Sequence, residues 1–129
     1  MRFLGIDYGT KRNGIAISDE DGVLAFPKEI IPNDANTLRR LGEILQDENI
    51  SEIVVGESVD FSGTPNKLSI QIEDFILELQ NKFNIPIHKQ KEFLTSVEAR
   101  RYGVSKESAV DAGAAALILQ RYLDLKTKW

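Results

Sequence analysis

Asp7 is the residue of this chain that most strongly suggests chemistry. It ends a short apolar segment and is followed by a glycine-bearing turn that carries Lys11 and Arg12. Burying a charge beside an apolar strand is unfavourable unless the charge is paired or bound to a metal ion. An Asp that merely opens a hairpin turn is the alternative from spacing alone. Lys11 and Arg12 are candidates for contacting phosphate oxygens, although a solvated turn explains them nearly as well.

Three further carboxylates are candidates because of the elements expected around them. Asp111 is the only charged residue between 109 and 119, and at helical spacing it shares a face with Ala115. A helix-start Asp stabilised by the helix dipole is the alternative. Glu92 directly follows a predicted fifth strand and Glu57 a predicted fourth strand. Exposed loop and strand-end glutamates are the alternatives for these two.

These four carboxylates are predicted to gather at one edge of a sheet. Sites in open α/β sheets form beyond the carboxyl ends of the parallel strands. Oxygen ligands without histidine or cysteine suit Mg²⁺ or Mn²⁺, and such ions support phosphoryl-transfer chemistry. The single histidine, His88, lies inside a predicted strand and is interpreted as structural.

Composition limits the class of protein. The chain has 129 residues, no cysteine and a formal net charge of −4. The charge argues mildly against a dedicated nucleic-acid binder, but an acidic metal site adds negative charge that bound cations offset. No apolar segment approaches the ~20 residues needed to cross a bilayer, and no signal-peptide pattern precedes the first strand. We therefore expect a cytoplasmic protein without a membrane partner.

The hydrophobic periodicity predicts one α/β domain. Its mixed five-stranded sheet has three antiparallel strands followed by two parallel ones and is flanked by helices. The predicted strands are 2–8, 13–19, 23–31, 53–56 and one from residue 85, and the predicted helices are 35–48, 66–83, a short one from Thr95 and 106–126.

Three blocks of the chain are specific in combination. They are Gly5-Ile6-Asp7-Tyr8-Gly9-Thr10-Lys11-Arg12-x-Gly14-Ile15-Ala16, Glu92-x-Leu94-Thr95-Ser96, and Asp111-x-x-Ala114-Ala115-Ala116-Leu117-Ile118-Leu119-Gln120-Arg121-Tyr122-Leu123. In order and over essentially the whole chain they resemble the YqgF family. Those proteins are Holliday junction resolvase-like, are also described as pre-16S ribosomal RNA processing nucleases, and have a ribonuclease H-like fold.

The resemblance implies a function. It indicates a single ribonuclease H-like nuclease domain over 1–129 that hydrolyses phosphodiester bonds with Mg²⁺ or Mn²⁺ held by Asp7, Glu92 and Asp111. The implied partner is nucleic acid: pre-16S rRNA in 5′-end maturation, with ribosomal particles as further partners, or branched DNA as the alternative. Monomer and homodimer both stay open, although a junction resolvase should be dimeric because it makes two symmetric cuts.

The chain departs from the usual family pattern at two places. Glu57-Ser58 stands where the family usually has Leu-Pro, and Phe93 stands where it usually has Arg. Glu57 is therefore also a candidate fourth catalytic carboxylate. A non-catalytic RNA- or ribosome-associated module stays open, and the missing arginine favours it. An ATP-binding domain of the actin and sugar-kinase type also opens with Asp-x-Gly-Thr, but the chain is too short for the two domains such proteins need.

Overall fold

The computed structural model describes residues 1–59, 67–93 and 112–127 of the chain. The predicted short helix from Thr95 and the beginning of the predicted last helix lie outside these residues. The described elements are β1 (Arg2–Asp7), β2 (Arg12–Ser18), β3 (Ala25–Pro32), α1 (Thr37–Asp47), β4 (Ile50–Val59), α2 (Lys67–Lys82), β5 (Ile87–Phe93) and α3 (Ala112–Thr127).

The five strands form one mixed sheet in the order β3-β2-β1-β4-β5. Strands β1, β2 and β3 pair antiparallel, whereas β4 pairs parallel with both β1 and β5. This confirms the predicted architecture and places β1 in the centre. Strand β4 is longer than the predicted 53–56, because its polar ends also pair, Glu52 with Phe3 of β1 and Ser58 with Glu92 of β5.

The second hairpin turn explains why β3 begins later than predicted. The backbone N–H groups of Val23 and Leu24 donate to the Asp19 carboxylate at 2.8 and 3.2 Å, so these apolar residues belong to the turn. Gly22 adopts a φ of 68°, which glycine accepts without steric cost. Asp21-Gly22 has the Asp-Gly sequence typical of a hairpin turn, the structure shows that turn here, and the strand starts at Ala25.

Two cores lie on the two faces of the sheet, because successive side chains of a strand alternate between faces. On β1, Leu4 and Ile6 belong to the core beneath α1 and α2, and Phe3 belongs to the core beneath α3. We call these the α2 face and the α3 face. Within residues 1–59, 67–93 and 112–127, no helix is long and apolar enough to cross a membrane.

Helix α3 packs closely on the centre of the sheet. A Cβ atom added to Gly5 would lie 2.8 Å from Leu119 Cβ and 3.2 Å from the Ala115 carbonyl oxygen. Farther along, the Tyr122 ring lies 6.0 Å from that of Phe3, centroid to centroid. Later residues of α3 thus meet earlier residues of β1. The helix is antiparallel to β1, and its N-terminal end points toward the carboxyl end of that strand.

Candidate functional site

Asp7 is the last residue of the central strand. Its Cα pairs with Gly14 of β2 and Gly56 of β4, and the residue is only 7% exposed. Because successive side chains of a strand alternate between faces, Asp7 lies on the same face as Phe3 and Gly5, which is the α3 face. Asp7 thus lies at the carboxyl end of its strand, as predicted, and its role as a metal ligand stays a prediction.

Glu92 lies within β5, whereas the sequence predicted it just after the strand. It pairs in register with Ser58, and β5 continues through Phe93. Its strand position is thus fixed at the same edge of the sheet as Asp7, and its role as a ligand stays a prediction.

Asp111 lies outside the described residues. It directly precedes Ala112, the first residue of α3, the helix whose N-terminal end points toward Asp7. Within residues 1–59, 67–93 and 112–127, no group of three or more Asp, Glu or His side chains is close enough to hold a metal ion. A three-ligand site at Asp7 therefore needs side chains beyond those whose positions are described.

Glu57 belongs to the opposite face of the sheet. It lies inside β4 and is 7% exposed, with its Oε2 3.3 Å from Lys89 Nζ. The Lys89 ammonium also pairs with Glu73 of α2. The structure thus corrects the expectation that Glu57 gathers with Asp7. Asp7 is in register with Gly56, so the next residue of β4 alternates to the α2 face.

The Lys89 ammonium is held in its charged form by its two carboxylate partners. The hydrogen bond to Glu73, and then the one to Glu57, raise the pKa of Lys89 above its usual range, although burial opposes this shift. The charge of the buried Glu57 carboxylate is balanced by Lys89, and this ion pair contributes to the packing of α2 on β4 and β5. The arrangement resembles a structural ion pair more than a vacant ligand set.

His88 has the structural role that the sequence suggested. Its Nε2 lies 2.7 Å from Glu52 Oε1, and its ring stacks on Tyr122. Glu52 Oε2 in turn lies 3.7 Å from Lys126 Nζ of α3. These contacts join the amino-terminal parts of β4 and β5 to the last turns of α3, at the end of the sheet away from Asp7.

The turn that joins β1 to β2 is held by two asparagines that sequence reasoning missed. The Gly9 N–H donates to Asn13 Oδ1 at 3.3 Å, and Asn33 Nδ2 donates to the Gly9 carbonyl oxygen at 2.8 Å. The Asn33 N–H also donates to the Lys11 carbonyl oxygen at 2.9 Å. Lys11 and Arg12 are exposed beside this turn. An asparagine inside the otherwise apolar pattern of β2 was the signal that could have revealed it.

A surface cavity of about 300 Å³ adjoins the same turn on the α2 face. Its lining is mostly polar and carries two carboxylates from successive turns of α2. The residues that line it are Tyr8, Thr10, Asn33, Gln71, Asp74, Phe75 and Glu78.

Comparison with solved structures defines the class of fold. Residues covering 98% of this chain superpose on 96% of Thermus thermophilus RuvC, a structure in complex with a Holliday junction substrate, with a TM-score of 0.61 and 15% identity. The Fowlpox virus resolvase, solved with Holliday junction DNA, matches over 98% of this chain and 99% of its own, with a TM-score of 0.59 and 14% identity. The chain has the RuvC-like ribonuclease H fold.

The family follows from the sequence comparison. The model of the family described as "RuvX: Holliday junction resolvase" matches residues 1–125, and the chain belongs to this family of nucleases. A relative from Lawsonia intracellularis, named "Putative pre-16S rRNA nuclease", is 38% identical over 96% of this chain and 94% of its own. One of the same name from Lactobacillus acidophilus is 33% identical over 99% of both chains. The resemblance inferred from the three sequence blocks is confirmed.

Proposed function

We propose that this protein is a divalent-metal-dependent endonuclease that hydrolyses phosphodiester bonds during 5′-end maturation of pre-16S rRNA, in the cytoplasm. The observation that carries the proposal is the buried Asp7 at the carboxyl end of the central strand. Relatives named as pre-16S rRNA nucleases, at 33–38% identity over nearly the whole chain, support the choice of substrate. Residues 1–129 are proposed to act as a single nuclease domain that also contacts ribosomal particles.

The proposed ligands for Mg²⁺ or Mn²⁺ are Asp7, Glu92 and Asp111. Two features of the described residues support this set. Glu92 lies in β5 at the same edge of the sheet as Asp7, and α3 runs antiparallel to β1, with Ala115 at Gly5. In the sequence, Asp111 directly precedes Ala112, the first residue of α3, and the N-terminal end of that helix points toward Asp7. An all-oxygen donor set fits hard divalent cations.

The chain's own residues would position the substrate and the ions. Asp7 is buried on a central strand paired on both sides, so its carboxylate is oriented before substrate arrives. Lys11 and Arg12 would contact phosphate oxygens from the adjoining turn. Bound divalent ions would supply activated water and charge stabilisation at the scissile phosphate. The cost of gathering like charges at Asp7 would be offset by the cations.

A cleavage assay with and without metal tests this proposal. A pre-16S rRNA fragment that spans the mature 5′ end is incubated with the protein in Mg²⁺, in Mn²⁺ and in excess EDTA. We expect cleavage near the mature 5′ end in either metal and none in EDTA, because the carboxylates alone cannot activate water. A protein that binds the fragment but cleaves it in neither metal contradicts the proposal and favours a non-catalytic RNA-binding module.

Resolution of Holliday junctions is the second candidate function. It is favoured by the description of the family and by the likeness of the fold to two proteins whose structures were solved with Holliday junctions. A synthetic four-way junction in the same assay separates the two substrates, and size-exclusion chromatography gives the oligomeric state. Symmetric cutting of the junction by a dimer, with the RNA left intact, would replace the rRNA proposal with this one.

A further inference from the structure

We propose that Asn13 and Asn33 are positioning residues that hold the β1–β2 turn in the conformation in which Lys11 and Arg12 contact the nucleic-acid backbone. The inference rests on the proposed nuclease function and deepens it. We call Asn13, Gly9 and Asn33 the asparagine clamp.

The asparagine clamp forms hydrogen bonds with both backbone polar groups of Gly9, its N–H and its carbonyl oxygen. The Gly9 N–H donates to Asn13 Oδ1 at 3.3 Å, and the Gly9 carbonyl oxygen accepts from Asn33 Nδ2 at 2.8 Å. Gly9 itself is buried. A third bond, from the Asn33 N–H to the Lys11 carbonyl oxygen at 2.9 Å, ties the next part of the turn to the end of β3. The turn therefore has hydrogen-bond partners in β2 and in the connection that follows β3.

The burial of Asn13 is hard to explain by stability alone. The residue is fully buried at 0% exposure, and among the described residues its Nδ2 has no hydrogen-bond partner. Ile15 and Ile17, which share its face of β2, pack in or against the apolar core of the α2 face. An apolar side chain would avoid burying an unpaired amide N–H, which is unfavourable. An apolar side chain could not, however, accept the hydrogen bond that the Gly9 N–H donates to Asn13 Oδ1.

The clamp lies between the proposed metal ligand and the proposed phosphate contacts. Gly9 is two residues from Asp7 and two residues from Lys11, so a rotation of its peptide planes would move the cationic side chains relative to the carboxylate. Two lysine or arginine side chains on an unconstrained turn would have to be ordered by the substrate at an entropic cost. A turn that is already fixed removes part of this entropic cost. It should therefore strengthen the binding of the nucleic acid more than it accelerates the chemical step.

Kinetics of two clamp variants test the proposal. Asn13→Leu removes the acceptor for the Gly9 N–H, and Asn33→Ala removes the donor to the Gly9 carbonyl oxygen. With the pre-16S rRNA fragment we expect each to raise KM about tenfold and to leave kcat within about twofold. Asn36→Ala is the matched control, since Asn36 follows in the same connection, is exposed and forms no side-chain cap. It should leave both constants unchanged.

Combining the variants separates positioning from a general loss of folding. If the clamp acts through the cations, adding Asn13→Leu to a Lys11→Ala/Arg12→Ala double variant should cause no further rise in KM, because interacting residues are non-additive. A further tenfold rise in KM in the triple variant overturns the proposal. So does a fall in kcat that parallels the folded fraction measured by thermal unfolding.

Amide hydrogen exchange distinguishes failure of the clamp from failure of the proposed function. The Gly9 amide of the wild-type protein should be protected, and Asn13→Leu should lower its protection about tenfold or more while the amides of β1 are unaffected. An unprotected Gly9 amide in a wild-type protein that cleaves RNA overturns the clamp alone. A wild-type protein that neither binds nor cleaves RNA overturns the proposed function, and this role with it, even where Gly9 is protected.

Discussion

Each face of the sheet buries a carboxylate, and the two carboxylates differ in their surroundings. On the α2 face, Glu57 is 7% exposed and lies 3.3 Å from the Lys89 ammonium, which also pairs with Glu73. On the α3 face, Asp7 is equally buried, at the edge toward which the N-terminal end of α3 points. The first carboxylate is neutralised by a lysine of the neighbouring strand. The second is the one that we assign to metal chemistry.

The difference shows that strand register decides which acids can act together. Asp7 pairs with Gly56, and Glu57 is only one residue farther along β4. Since side chains alternate along a strand, that single step transfers the glutamate to the other face. Nearness to a strand end is thus insufficient evidence that two carboxylates share a metal site. Variants of residues on each face test this difference directly.

The largest expected effect comes from Asp7→Asn. This change keeps the shape of the side chain and removes the charge that is proposed to bind metal, so cleavage of the pre-16S rRNA fragment should fall by about 10²–10³. The rate is measured under single-turnover conditions in Mg²⁺ and Mn²⁺. Asp47→Asn, an exposed change at the end of α1, removes the same charge and should leave the rate unchanged. Equal rates for wild type and Asp7→Asn would exclude Asp7 as a ligand.

Gly5→Ala should disturb the α3 face strongly through packing. The added Cβ would lie 2.8 Å from Leu119 Cβ, which cannot rotate away because it is attached directly to the helix backbone. We expect a loss of about 1–3 kcal/mol in the free energy of unfolding, measured by urea denaturation. Cleavage should fall as well, since the helix whose N-terminal end points toward Asp7 is displaced. A fully stable and active variant would show that α3 does not need this close approach.

Glu57→Gln should affect the fold more than the chemistry. We expect cleavage within about twofold of wild type and a loss of about 1 kcal/mol in unfolding free energy, because the buried ion-pair partner of Lys89 loses its charge. Glu57→Leu, which introduces the usual family residue, is the companion variant and should also cleave. A hundredfold loss of cleavage in a folded Glu57→Gln protein would return Glu57 to the set of metal ligands.

The smallest expected effect concerns alkaline pH. The pKa of Lys89 is raised on folding, so the stability from its ion pairs is fully present below the pKa of an unfolded lysine and is lost as pH rises through the folded value. Glu73→Gln removes the largest cause of this shift. The variant should lose about 0.2–1 kcal/mol at neutral pH, and less at strongly alkaline pH. Urea unfolding at pH 7 and at alkaline pH measures the loss of unfolding free energy at each pH. An equal loss at both pH values would show that the ion pairs of Lys89 are not its cause.

Much of the fold could be predicted because its signals are local. The apolar periodicity of Leu38, Leu41 and Ile44 is confined to one helix, and the Asp-Gly turn after β2 lies within a few residues. The limits of β4 were less predictable. Its ends carry Glu52 and Ser58, whose pairing depends on β1 and β5, which lie far away in the sequence.

By itself, the sequence determined the order of the elements and the position of Asp7 at the end of a short apolar strand, since both depend on residues close together in the chain. It also determined the family, through three sequence blocks that occur in a fixed order. Only the tertiary structure decided that Glu57 belongs with Lys89 and that Asn13 and Asn33 meet at Gly9. The reason is physical. The face on which a side chain lies, and the partner it finds there, depend on the register between strands distant in sequence, and one residue of register exchanges the two faces.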